Sequence, residues 1–196
     1  MSVTGIILAG GKSSRMGKDK GLLELSGKKL VEIAIGNLSS LCDRILISTN
    51  SDAYAQFGLE VVPDRNPNIG PMGGSYSSLL RSNTGTNLVL SVDLPFINKG
   101  TLRYLLEQSR DVEVAVPWSG EEHYEPLCAC YDRSVLPLME EFINRGIYKL
   151  PELFKQIKLN PLIINEQLPF FTPILFHNIN TFSDFLSAEN MMNSSK

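Results

Sequence analysis

The stretch from Ile6 to Gly21, Ile-Ile-Leu-Ala-Gly-Gly-Lys-Ser-Ser-Arg-Met-Gly-Lys-Asp-Lys-Gly, constrains this chain more than any other. An apolar run, Val3 to Leu8, stops abruptly in a loop of small residues, hydroxyls and cations. Such a run suits a strand buried on both faces, as a central parallel strand is. Gly10 and Gly11 let the backbone turn and let a ligand come close, because no Cβ intervenes. Lys12, Arg15, Lys18 and Lys20 face only Asp19, an excess of three positive charges in a chain of net charge −3. Backbone N–H groups beside clustered Lys and Arg are what a polyphosphate requires: dipoles for contact, cations for neutralisation. A solvated basic turn after an edge strand would not explain why glycines, cations and a buried strand coincide.

Two better-known phosphate loops are excluded by spacing. The Walker A pattern sets its glycines closer together than Gly11 and Gly17 and follows its lysine with Ser or Thr. Here Asp19 follows Lys18, and it cannot replace the magnesium-binding hydroxyl. The dinucleotide fingerprint fails because Lys12 stands where its second glycine belongs.

Downstream, Leu30 to Leu41 has helical apolar spacing, Arg44 to Thr49 reads as a second buried strand, and Ser51 is placed to cap a short helix over Ala53 to Phe57. Leu59 to Val62 is a third strand, broken by Pro63-Asp-Arg-Asn-Pro67. Strand and helix alternate, which indicates an α/β fold with a mainly parallel sheet. Asn68 to Ser75 is a second glycine-rich loop, expected to lead into a helix from Ser75 to Leu80. It reads either as a plain connector or as a set of free N–H donors at a helix start.

Leu88 to Val92 is a strand at whose end Asp93 appears, and Pro95 keeps the corner extended. Ligands of open α/β sheets sit outside the carboxyl ends of the strands, so Asp93 and the first loop should share one crevice. A carboxylate facing phosphate there has the chemistry to hold Mg²⁺, a hard cation that prefers oxygen. Further helices are expected over Lys99 to Arg110, Leu136 to Ile143 and Leu150 to Ile157, and strands over Val112 to Val116, Glu125 to Tyr131 and Leu159 to Ile164. Trp118 to Tyr124 reads as a polar excursion in which Trp118 and His123 pack or turn. Asn178 and Asn180 project from one face of an extended segment, Thr181 starts a terminal helix, and Met191 to Lys196 read as a tail.

With 196 residues, 43% of them hydrophobic and 20% charged, the chain suits one soluble domain over 1–190, with 191–196 flexible beyond it. Mild acidity argues against a nucleic-acid surface. Cys42, Cys128 and Cys130 are odd in number and include no Cys-x-x-Cys; Cys128 and Cys130 would share one face of a strand as buried, reduced thiols. The first apolar run is too short for a signal peptide, and no segment is long enough to span a bilayer. No membrane partner is expected, and the cytoplasm is the expected compartment.

Leu8-Ala-Gly-Gly-Lys-Ser-Ser-Arg-Met-Gly-Lys-Asp-Lys20 resembles the signature of the glycosyltransferase-A-like nucleotidyltransferases, and most of all that of the molybdenum cofactor guanylyltransferases. Glu125-Pro-Leu-Cys-Ala-Cys-Tyr131 and Asn178-Ile-Asn-Thr181 resemble later blocks of the same family, with Phe182 where the family has Pro. The resemblance implies a single three-layer, Rossmann-like domain of the nucleotide-diphospho-sugar transferase type. It implies transfer of GMP from GTP to the molybdenum–molybdopterin cofactor, with Mg²⁺ as cofactor and pyrophosphate released. Arg15, Lys20 and Asp93 are then the catalytic residues, Arg15 on the β/γ-phosphates, Lys20 on the α-phosphate and Asp93 on the metal. Leu8, Ala9, Gly10, Gly11, Lys20, Asp64, Gly74 and Asp93 bind GTP. Glu125, Asn178 and Asn180 are assigned to the pterin side. Cofactor insertion proteins or apo-molybdoenzymes would receive the product. A cytidylyltransferase for the same cofactor, a sugar-phosphate nucleotidyltransferase and a non-catalytic GTP sensor are the competing readings.

Overall fold

A computed structural model of the chain describes residues 2–10, 19–119 and 123–193. The first half runs β1 (Val3–Leu8), β2 (Glu24–Leu25), β3 (Lys28–Lys29), α1 (Leu30–Leu38), β4 (Arg44–Ser48), β5 (Glu60–Val62) and α2 (Pro71–Arg81). The second runs β6 (Thr86–Ser91), α3 (Lys99–Glu107), β7 (Val114–Trp118), β8 (Cys128–Asp132), α4 (Leu136–Asn144), α5 (Leu150–Leu153), β9 (Leu159–Ile163) and α6 (Phe182–Asn193).

Seven strands form one sheet in the order β5-β4-β1-β6-β8-β7-β9, and β2 and β3 form a small hairpin beside it. Only β8 runs against its neighbours, pairing antiparallel with both β6 and β7. The other pairs are parallel, so the sheet is mainly parallel as the strand–helix alternation predicts. All of β1 is buried. Val3 and Ile7 enter one core, Ile6 and Leu8 the other, the alternation of a strand covered on both faces. The first core lies beneath α1, α3 and α6, the second beneath α2, α4 and α5. That is a three-layer α/β domain.

Several boundaries differ from the sequence-based expectation, each for a local reason. The expected helix at Ser75 begins at Pro71. Gly70, at φ 69°, turns the chain in, Pro71 takes the first helical position where its missing N–H costs nothing, and Met72, Tyr76 and Leu79 are buried at helical spacing. Gly73 and Gly74 therefore belong to the helix and not to a loop. Ser51 makes no side-chain cap; Asp52–Phe57 is a 3-10 turn, and the Ser51 N–H instead donates to Thr49 Oγ1 at 3.2 Å. The expected helix from Leu150 ends at Leu153. Glu125 precedes its strand, in a turn where its carbonyl accepts the Cys128 N–H at 3.0 Å. Helix α6 continues through Asn193, into the stretch expected to be a tail. All three cysteines are free, with Cys128 and Cys130 buried in the first core as the reading of one strand face requires. No helix among the described residues is long and apolar enough to cross a membrane.

Candidate active site

The connections after β1 change direction at one point. From β1 the chain passes by α1 to β4 and β5 on one side, then crosses by α2 to β6 on the other. The crevice of an α/β sheet opens where strand order reverses in this way. Its floor is tied by backbone bonds: the Ala9 N–H to the Ser48 carbonyl at 3.0 Å and the Val92 N–H to the Leu8 carbonyl at 3.1 Å. A cleft of about 740 Å³ stands there, lined by residues that include Leu8, Ala9, Gly10, Lys20, Asp64, Gly74 and Asp93. Seven of the expected nucleotide positions thus meet in one place. Gly11 and Arg15 lie outside the described residues.

At the mouth of the cleft Lys20 Nζ donates to Asp93 Oδ2 at 3.4 Å and to Asn180 Oδ1 at 3.3 Å. The three residues are far apart in sequence but converge because β1 and β6 are neighbours in register, ending with Leu8 opposite Ser91. The C-terminal block is docked to the same corner by the Ile179 N–H, which donates to the Asp93 carbonyl at 2.9 Å. A reciprocal capping arrangement then fixes Asn180: Asp184 Oδ2 accepts its N–H at 2.8 Å and that of Thr181 at 2.7 Å, while the Asp184 N–H donates to Thr181 Oγ1 at 3.1 Å. Those backbone donors, that of Asn180 first, hold the Asp184 carboxyl below its ordinary range. Phe182 therefore occupies the family's proline position without loss of the helix start.

The second oxygen of Asp93, Oδ1, is buried and accepts no hydrogen bond among the described residues. A buried carboxylate oxygen left bare is costly, and a hard cation would satisfy it. No group of three or more His, Cys, Asp or Glu residues among the described ones is arranged to hold a metal. The donor set fits a magnesium ion, which commonly takes one or two protein carboxylates and fills its remaining positions with phosphate oxygens and waters.

Asp64 lines the opposite wall. Its N–H donates to Asn50 Oδ1 at 2.8 Å, and its Oδ1 accepts the Asn66 N–H at 2.9 Å. Burial pushes its carboxyl up, against that hydrogen bond. Helix α2 comes close enough here that side chains are excluded: a Cβ on Gly73 would lie 2.6 Å from both Asp64 carboxyl oxygens, and one on Gly74 would lie 2.7 Å from Ser48 Oγ. The need for glycine is steric packing within a helix.

Glu125, Asn178 and Asn180 are not among the residues lining that cleft. Burial, and next the charge of Asp93, push the Glu125 carboxyl up from its ordinary 4.5, with His123 opposing. Asn178 Oδ1 and the neighbouring His177 Nε2 are buried and unpartnered among the described residues. The stretch Ser48 to Ser51, read from sequence as a strand end and a helix cap and given no part in the site, lines the cleft throughout. Its signal was available: it follows β4, a strand neighbouring β1, and so ends on the same sheet edge. Asp19 was counted only as a charge, yet its Oδ1 accepts the Gly21 N–H and the Tyr54 phenol.

Residues 5–159 match the MobA-like NTP transferase domain. The chain is 33% identical over 199 residues to a probable molybdenum cofactor guanylyltransferase of Pelotomaculum thermopropionicum, covering 100% of this chain and 96% of the relative. It is 36% identical over 180 residues to the molybdenum cofactor guanylyltransferase of Vibrio parahaemolyticus, covering 90% and 89%. Among solved structures, molybdopterin-guanine dinucleotide biosynthesis protein A of Archaeoglobus fulgidus superposes with a TM-score of 0.82 at 24% identity, covering 97% of this chain and 99% of that one, and so shares the fold.

Proposed function

Because the chain belongs to the MobA-like NTP transferase family, we propose that it transfers GMP from GTP to the molybdenum–molybdopterin cofactor. A phosphate oxygen of the pterin forms a bond to the α-phosphorus of GTP, the bond from that phosphorus to the β-bridging oxygen breaks, and pyrophosphate leaves. The observation that carries this reading is the junction of Lys20 with Asp93 and Asn180, which sets a cation beside a carboxylate with one bare oxygen at the edge of a nucleotide-sized cleft.

The attacking group is already an anion, so the protein's task is positioning and charge neutralisation more than proton transfer. Lys20 meets the α-phosphate, where charge redistributes in the transition state. Arg15 serves the β/γ-phosphates that leave, and Gly11 joins Leu8, Ala9 and Gly10 in backbone contacts to the nucleotide. Asp64 and Gly74 stand on the base and ribose side. Asp93 would hold Mg²⁺, which supplies Lewis-acid stabilisation of phosphate charge when bound. Asn178, Asn180 and Glu125 serve the pterin, with Asn180 at the boundary because it also touches Lys20. The reading puts the reaction in the cytoplasm, where thiols such as Cys128 and Cys130 stay reduced, and hands the product to cofactor insertion proteins or apo-molybdoenzymes.

Pyrophosphate release from GTP, CTP, ATP and UTP, each with and without the pterin cofactor, tests the proposal. Magnesium-dependent release from GTP that needs the pterin is expected. Preference for CTP would make the chain a cytidylyltransferase, turnover with a sugar phosphate would replace the acceptor, and GTP binding without turnover would make it a sensor.

A further inference from the structure

Lys20 opens the three-residue 3-10 turn Lys20–Leu22, too short an element to fix a side chain by itself. The turn is capped by Asp19, whose Oδ1 accepts the Gly21 N–H at 3.2 Å. The same oxygen accepts the Tyr54 phenol at 2.6 Å, a short hydrogen bond of the charge-assisted kind. Tyr54 comes from the 3-10 turn after β4 and is fully buried, with its ring 6.0 Å from that of Phe57. Gly21 lies directly against it, since any Cβ at Gly21 would strike the Tyr54 hydroxyl. Burial, and next the neighbouring Asp19, push the phenol's pKa upward, which keeps it protonated and able to donate.

We infer that Tyr54 is a positioning residue for nucleotidyl transfer: its hydroxyl clamps Asp19, and through Asp19 it holds Lys20 in place beside Asp93 and Asn180. The inference rests on the GMP-transfer reading above and adds to it a residue that touches neither nucleotide nor pterin. A purely packing role for Tyr54 would need the ring alone. The hydroxyl instead ends on a carboxylate of the cleft wall, one residue from the catalytic lysine. The segment that supplies Asn50 and Ser51 to the cleft also supplies Tyr54, so one wall of the crevice braces the other.

Tyr54→Phe keeps the ring and removes the clamp, and two measurements separate the outcomes. In the nucleotide-free proteins, acetylation of Lys20 by a small acylating reagent is followed by peptide mass spectrometry, with exposed Lys99 as the internal reference. The clamp predicts several-fold faster labelling of Lys20 in Tyr54→Phe and an unchanged rate at Lys99. Should Tyr54→Phe fail to fold, Tyr54→Met removes the same hydroxyl and is expected to label alike; Asp19→Ala, which also loses the Gly21 cap, should label at least as fast. In turnover, Tyr54→Phe should lower kcat roughly 10-fold with a smaller change in KM for GTP, as expected when a catalytic group is displaced on the ångström scale. In a Lys20→Ala background the same substitution should change kcat by less than about 2-fold, because residues acting as a unit are not additive. Unchanged Lys20 labelling, or a full 10-fold loss in the Lys20→Ala background, overturns the inference. A wild-type protein that turns over no nucleotide would instead sink the GMP-transfer reading, while the labelling arm still decides whether Tyr54 holds Lys20.

Discussion

Gly74→Ala sets two effects of opposite sign against each other. Alanine in place of glycine within a helix ordinarily gains about 1 kcal/mol. In α2 the new Cβ would lie 2.7 Å from Ser48 Oγ, about 0.7 Å short of ordinary contact, while Leu8 Cδ2 at 3.6 Å and Ser48 Cβ at 3.9 Å leave room. Overpacking of a buried site costs about 1–3 kcal/mol. Rotation of Ser48 about χ1 relieves part of the clash, so the net loss stays at or below about 2 kcal/mol, at most roughly 4–8 °C in melting temperature for a domain of this size. Adding Ser48→Ala removes the one atom in the way, so the double variant should melt above Gly74→Ala and approach the Ser48→Ala parent. Gly73→Ala offers no such rescue, because its Cβ would also lie 2.7 Å from the backbone carbonyl of Asn66, which remains when Asp64 is truncated. Thermal unfolding followed by circular dichroism on the full cycle gives the coupling. Equal costs for Gly74→Ala with and without Ser48 would refute the steric account of this glycine pair.

Asp93→Asn should keep the fold and lose roughly 100-fold or more in turnover, because an amide cannot give the charge that a metal-bound phosphate site needs; near-normal magnesium-dependent rates would remove Asp93 from that role. Replacing Asn178 and Asn180 together by Ala should weaken pterin binding and leave GTP binding nearly unchanged, measured by separate titrations since Asn180 also touches Lys20; equal losses for both ligands would reduce the segment to a support. At the edge of the sheet, burial raises the Glu60 carboxyl, but hydrogen bonds from Arg44 and Arg81 outweigh it and hold the group below 4.5. A depressed acid stabilises the fold above its unfolded pKa and loses that contribution as pH falls through its folded value. Glu60→Gln should therefore melt lower than wild type at pH 7, with the gap closing as pH drops below 4.5; a gap independent of pH would mean the pair contributes by packing alone.

What was legible in the sequence divides along a physical line. The α/β class followed from apolar runs such as Val3–Leu8 and Ile45–Ile47, whose burial on both faces leaves no polar alternation to confuse them. That Asp93 and the start of the first glycine loop, Ala9 and Gly10, share one cleft was legible for a related reason: each stands at the point where a buried strand stops, and topology sends all such points on parallel strands to one edge. Helix α2 was partly hidden, because Gly73 and Gly74 are read locally as a loop while their close packing is against Asp64 and Ser48, both distant in sequence. Asn178 and Asn180 were visible as a pair but not as a contact, since the Lys20 link closes across the whole length of the domain.

Tyr54 marks the limit of such reading. In sequence it is an aromatic residue in a short expected helix, Ala53 to Phe57, with nothing nearby that needs a phenol. Its partner Asp19 looks like one carboxylate among cations, where local charge balance alone would explain it. Only when α1 packs against β1 and β4 is laid beside it do the turn after β4 and the turn after the glycine loop come within hydrogen-bond reach. Strand ends announce a site because backbone geometry fixes where they go. A hydrogen bond such as that of Tyr54 to Asp19 announces nothing, because it does not exist until the two turns have met.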